Sequence, residues 1–133
     1  MSHELDSAWL YIHPPLAITG YVFIFIFTAL VLAERKGLWG RYRIEFFGAA
    51  AWIFTLLGLV TGMLWAQTAW GKYWSWDPKE TMTLVLFLTI SASLVAYYEK
   101  KTKAAKVLAV LSCVFALVTL STSWIIQGLH SFA

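Results

Sequence analysis

Apolar residues dominate this chain in four long runs, and the charged residues fall between them. No Asp, Glu, Lys or Arg occurs from Ser7 to Ala33, from Phe46 to Gly71, from Thr81 to Tyr98 or from Val107 to Ala133. Each run supplies the roughly 17–25 apolar residues that a helix needs to cross a hydrocarbon layer about 30 Å thick. Lipid offers no water to the backbone, so a helix, which bonds its own N–H and C=O groups, is the expected conformation of each run. The pattern predicts transmembrane helices with cores at about residues 16–33, 46–66, 82–98 and 107–126. The connections are short, which makes successive helices antiparallel. The expected fold class is all-α: a polytopic integral membrane protein, one membrane domain over residues 1–133, folded as a four-transmembrane-helix bundle.

Composition agrees, since a chain that is 60% hydrophobic and 13% charged does not describe a water-soluble domain. The formal charge of +3 raises nucleic acid as a partner, but the basic residues form no single patch. Arg35, Lys36, Arg41 and Arg43 fill the first connection, and Lys100, Lys101, Lys103 and Lys106 surround the third. The tail ahead of the first run is acidic through Glu4 and Asp6. By the positive-inside rule the two basic connections are cytoplasmic, so both termini and the connection at 67–80 face outward across the cytoplasmic membrane. The first run lacks a preceding basic segment and a small-residue cleavage pattern, so it is expected to remain as a helix of the protein.

Cys113, the only cysteine, falls midway along the fourth run, where it reads as a packing thiol; neither a disulfide nor a cysteine metal cluster can be built within the chain. There is no Cys-x-x-Cys-His sequence, so any haem held here is held by coordination. In the second helix Gly58 and Gly62, with Gly48 nearer the cytoplasmic side, form a small-residue series suited to close helix packing.

The outward connection, Gln67-Thr-Ala-Trp70-Gly-Lys72-Tyr73-Trp74-Ser-Trp76-Asp77-Pro-Lys79-Glu80, carries three tryptophans in seven residues. Its end has the form of a helix start, with Asp77 as N-cap, Pro78 at the first helical position and Glu80 placed to close a capping box. That role explains Asp77, Pro78 and Glu80 but not Trp70, Trp74 and Trp76. The tryptophans fit either an interfacial aromatic belt or a flat binding platform.

His13, just before Pro14-Pro15, lies at the outward start of the first helix, and His130, after Gly128-Leu129, at the outward end of the fourth. Singly, each reads as a solvated helix-end histidine. Together, on one membrane face with an aromatic loop, two imidazoles can fill both axial positions of a haem iron. His3 sits in the tail and is a weaker candidate. Lys72 and Lys79, the only outward lysines or arginines, can meet the haem propionates, or pair with Asp77 and Glu80 as ordinary surface charge. The short ligand spacing of a hydrolytic metal site is absent, as are a phosphate-cradling glycine loop and a basic stripe for nucleic acid.

The segment from Trp70 to Thr81 resembles the tryptophan-rich WWD signature of the haem-handling proteins of cytochrome c biogenesis, the group that includes CcmC and CcsA. The likeness extends to Thr61-Gly-Met-Leu-Trp-Ala ahead of the loop, to Ile12-His13-Pro-Pro-Leu-Ala, and to Gly128-Leu-His130-Ser-Phe-Ala. It implies that Trp70, Tyr73, Trp74, Trp76 and Asp77 form a platform for non-covalent haem b, with Lys72 and Lys79 beside it and His13 and His130 as iron ligands. It further implies haem transport to a haem chaperone or an apocytochrome c, in company with other assembly subunits or further copies of the chain, and a place in a cytochrome c haem lyase. Better-known members have six or more helices, and synthase-type members carry histidines inside the membrane, which the four helix cores here lack. A self-contained exporter and synthase is therefore not expected. Two other readings remain: a haem-b electron-transfer anchor, which would place histidines inside facing helices, and a haem-free assembly subunit whose tryptophans only belt the membrane.

Overall fold

The computed structural model describes the backbone of residues 9–33 and 38–132 and the side chains of residues 15–33, 40–68 and 71–121. His3, Glu4, Asp6, Arg35 and Lys36 lie outside the described residues. Four helices follow one another: α1 Trp9–Ala33, α2 Leu38–Trp70, α3 Pro78–Tyr98 and α4 Thr102–Phe132. Each contains a stretch long and apolar enough to cross a membrane, and no strand occurs among the described residues. The chain is an all-helical, multi-pass membrane protein. Its outward-turned positions are themselves apolar, among them Ile53, Leu57 and Val60 on α2 and Val110, Val114 and Leu117 on α4. A helix that is apolar all round suits lipid as solvent.

The helices overrun their apolar cores. α1 starts at Trp9, so Pro14 and Pro15 lie within it rather than ahead of it. Proline keeps a helical φ and is tolerated in early turns and in transmembrane helices. α2, with 33 residues, is about 50 Å long, well beyond the hydrocarbon thickness, and its last turn takes in Gln67 to Trp70. α4 continues to Phe132, which places His130 inside the helix rather than after it.

Packing is up-down-up-down, closest between α1 and α2 and between α3 and α4, with lesser contacts joining α1 to α4 and α2 to α3. Small residues make the α1–α2 seam. A Cβ on Gly20 would come within 3.2 Å of the Phe54 and Thr55 backbone, and one on Gly58 within 3.3 Å of the Ala17 Cα. Gly58 therefore serves packing within the chain, against α1. Gly48 makes room for Phe27 of α1 and Leu94 of α3. Hydroxyls close the remaining seams: Ser93 Oγ donates to the Ala105 carbonyl at 2.8 Å, and Trp52 Nε1 donates to Ser91 Oγ at 2.9 Å. Thr28 Oγ1 donates to the Ile24 and Ala109 carbonyls at 2.8 and 3.2 Å, and it accepts from Cys113 Sγ at 3.1 Å. Cys113 is thus half-buried, a packing thiol that also links α4 to α1. Phe27, Ile24, Leu86 and Ile90 fill the centre with no exposed surface.

This topology gathers the first turn of α1, the α2–α3 connection and the last turn of α4 at one end. The opposite end carries Arg41, Arg43, Lys100, Lys101 and Lys103.

Candidate functional site

The α2–α3 connection is short. α2 ends where Gly71 takes a left-handed φ of +78° and its N–H bonds the Gln67 carbonyl at 2.9 Å, a glycine cap of the αL type. α3 begins at Pro78, with Asp77 as N-cap, its Oδ1 accepting from the Glu80 N–H at 2.7 Å. Only residues 71–77 are irregular, so the expected loop at 67–80 is shorter than the apolar pattern suggested. Trp70 is the last residue of α2, and its side chain lies outside those described.

The capping box is completed in an unexpected way. Glu80 does not reach back to the Asp77 N–H. Its Oε2 accepts from the backbone N–H of Ser75 at 2.7 Å and of Trp76 at 2.9 Å, with Ser75 Oγ at 3.4 Å. One carboxylate oxygen thereby satisfies two consecutive N–H groups that have no helix or strand to bond to. Trp76 is held with φ +61°, a left-handed conformation that costs a non-glycine residue roughly 1–2 kcal/mol. Its indole stands edge-on to that of Trp74, with centroids 5.4 Å apart and planes at 89°. Trp76 is 67% exposed and Tyr73 52% exposed, whereas Trp74 is half-buried and its Nε1 is enclosed without a hydrogen-bond partner. Large aromatic surface thus faces outward on a left-handed, hydrogen-bonded backbone, an arrangement open both to an interfacial belt and to a binding platform.

Lys72 is exposed at the start of the loop. Lys79, on the first turn of α3, keeps an exposed part while it also lines a cavity of about 20 Å³ with Tyr21, Thr55 and Thr83. Among the described residues neither lysine forms an ion pair with Asp77 or Glu80.

His13 and His130 belong to the backbones of α1 and α4; their side chains lie outside those described. Thr28 sets the α1–α4 register against Ala109 and Cys113. Carried along the two antiparallel helices, that register brings the two histidine positions to the loop end, within about two turns of each other along the axis. Among the described residues no group of three metal-ligating side chains occurs.

The family model for cytochrome C assembly protein matches residues 1–130. The chain belongs to that family. Among similar members, the cytochrome c-type biogenesis protein ccl1 of Rhodobacter capsulatus is 34% identical over 147 residues, covering 100% of this chain and 22% of the relative. The cytochrome c-type biogenesis protein CcmF of Haemophilus influenzae is 33% identical over 144 residues, covering 97% of this chain and 22% of the relative. The cytochrome c biogenesis protein CcsA of Trichodesmium erythraeum is 39% identical over 79 residues, 57% of this chain and 22% of the relative. The chain therefore spans about a fifth of the length of these family members. No solved structure matches.

The bonds from Ser75 and Trp76 to Glu80 are the part of this geometry that reasoning from sequence does not reach. The sequence offers Glu80 as a capping-box residue or a partner for Lys72 and Lys79, and Ser75 carries no signal. The spacing of a carboxylate four and five residues after two loop N–H groups is the clue that could have found them.

Proposed function

We propose that the loop end of this bundle faces outward across the cytoplasmic membrane and holds haem b for cytochrome c maturation. The exposed indole of Trp76, set edge-on to Trp74 at the bundle end that also carries the His13 and His130 positions, is the observation that carries this reading. A haem offers a flat apolar macrocycle, an iron with two axial positions and two carboxylates at one edge. The residues present fit each part. Trp74 and Trp76, with Tyr73 and Trp70, supply aromatic surface. The ammonium groups of Lys72 and Lys79, both exposed, suit the propionates. His13 and His130 are proposed as axial ligands, from α1 and α4 respectively.

When bound, haem supplies the vinyl groups that take the thioether bonds of an apocytochrome's Cys-x-x-Cys-His segment. The chain's own part is to bind and orient the macrocycle, with Asp77 capping α3 and so fixing the loop that presents it. Two imidazoles leave no open coordination position, which guards the iron until transfer. The basic end is cytoplasmic on this reading, in keeping with the positive-inside rule. The apocytochrome or chaperone that accepts haem, with other assembly subunits or a second copy of the chain, completes the proposed partners.

The test is the optical spectrum of detergent-purified protein, oxidised and reduced, in wild type, His13→Ala and His130→Ala. A low-spin b-type spectrum that turns high-spin or weakens in each variant is expected. Unchanged spectra in both variants would refute the ligand assignment. A protein that takes up no added haem would overturn the haem-holding role and leave a haem-free assembly subunit.

A further inference from the structure

We infer that Glu80 is the positioning residue of the tryptophan platform: its carboxylate, by reach rather than by charge, locks the Ser75–Trp76 backbone and so sets the direction of the Trp76 indole. The haem consequence rests on the proposed haem-holding role; the lock itself does not.

Four observations meet at this residue. Glu80 is fixed at the base of α3, because its own N–H is held by Asp77 Oδ1 at 2.7 Å. Its side chain turns back across the cap, and Oε2 takes the Ser75 and Trp76 N–H groups at 2.7 and 2.9 Å. The residue so held, Trp76, has φ +61°, which a free loop would not keep in a tryptophan. That same residue exposes the largest aromatic surface of the loop. Nothing else among the described hydrogen bonds ties residues 72–76 to the bundle. Ordinary N-capping needs none of this: the cap is complete with Asp77 and Pro78, and an acidic residue in the first turn would favour the helix dipole wherever its side chain pointed.

Reach and charge separate cleanly by substitution. Glu80→Gln keeps the length and an amide oxygen that can accept both N–H groups, but it loses the charge. Glu80→Asp keeps the charge in the first turn of α3 but is one methylene short. Glu80→Ala loses both. The experiment is 19F NMR of haem-free, full-length chain labelled with 5-fluorotryptophan in detergent, with the Trp76 resonance assigned from Trp76→Phe, followed by haem titration of the same samples.

The expected result is a Trp76 resonance in Glu80→Gln close to that of wild type, and one shifted and narrowed toward a free side chain in Glu80→Asp and Glu80→Ala. Haem affinity then falls by about tenfold or more in the Asp and Ala variants and by less than about threefold in Gln. Far-UV helicity and the other tryptophan resonances control for folding; a change confined to Trp74 and Trp76 supports the lock. An Asp variant that matches wild type while Gln loses the signal would overturn it in favour of a charge effect. A Trp76 resonance unchanged in all three variants would also overturn it. A lock seen by NMR with haem bound equally well by every variant supports the lock and overturns its consequence for haem, whereas a wild-type chain that takes up no haem supports the lock and refutes the haem-holding role instead.

Discussion

Replacing Trp76 by glycine separates what the loop does from what holds it. The backbone at this position is left-handed, and glycine adopts that conformation without the steric cost of roughly 1–2 kcal/mol borne by an L side chain. Against this relief stand the greater unfolded-state freedom of glycine, about 0.5–1 kcal/mol, and the loss of the edge-on contact with Trp74, about 0.5–1.5 kcal/mol. These effects offset one another to within about 1 kcal/mol, since an indole that is 67% exposed buries little in the protein itself. Trp76→Gly is therefore expected to melt within about 4 °C of wild type in the haem-free state. Its haem binding should fall much further. If the macrocycle covers about 80 Å² of indole, at about 25 cal/mol per Å², the loss is near 2 kcal/mol, or about 30-fold in affinity. Thermal unfolding by circular dichroism and a haem titration on the same preparation measure the two quantities. A large drop in melting temperature with haem affinity following in step would show Trp76 to be a structural anchor and refute the reasoning. So would haem affinity within twofold of wild type.

Two packing predictions follow from the seams. Gly20→Ala should destabilise the bundle by about 1 kcal/mol or more, because the new Cβ meets rigid backbone of α2 at 3.2 Å and this outweighs alanine's better helix propensity. Gly48→Ala should cost a similar amount, since the end of the Leu94 side chain can turn away but the buried Phe27 ring at 3.0 Å cannot. Denaturation by SDS in mixed micelles measures both, and an unchanged stability in Gly20→Ala would contradict the close α1–α2 approach. Thr28→Val removes a cross-link between α1 and α4 and the acceptor of the Cys113 thiol, at a cost of about 0.6–1 kcal/mol. It should also raise the infrared S–H stretching frequency of Cys113, and an unmoved band would show that the thiol is not bonded to Thr28.

The four helices were legible because lipid makes a simple demand: an apolar run of sufficient length, with its polar backbone satisfied internally. Their ends were not legible from the same rule. Gln67 to Trp70 are polar or aromatic but still helical, since a helix that has left the hydrocarbon stops only at a specific signal, here the left-handed Gly71. Asp77 and Pro78 were readable as a helix start because capping depends on local residues only. The α1–α2 seam was half visible: the glycines of α2 stood out, but nothing local showed that Gly58 meets Ala17 or that Gly20 meets Thr55. Pairings such as Thr28 with Ala109 and Ser93 with Ala105 depend on which faces meet, and a period of apolar residues all round each helix does not say. At the site, residue types carried the chemistry, while the left-handed Trp76 and the reach of Glu80 are facts of conformation that only the folded loop displays.

The distribution of cross-links also bears on how such a site would open and close. α1 and α4 carry the two histidine positions, and among the described residues the side-chain hydrogen bonds that join these helices sit at Thr28, Ala109 and Cys113, about four turns from His13. Contacts between α1 and α4 are fewer than those of α1 with α2 or of α4 with α3. Each histidine position therefore travels with its own hairpin, α1 with α2 and α4 with α3, and the tryptophan loop is the chain that links the two hairpins at that end. On the proposed reading, an iron held by both imidazoles would tie the two hairpins together. Small changes in the tilt of one hairpin against the other would then alter the imidazole spacing without breaking any of the seams within a hairpin. On the same reading, the platform is held by Glu80 and the Asp77 cap, while the proposed iron ligands stand on two separate hairpins.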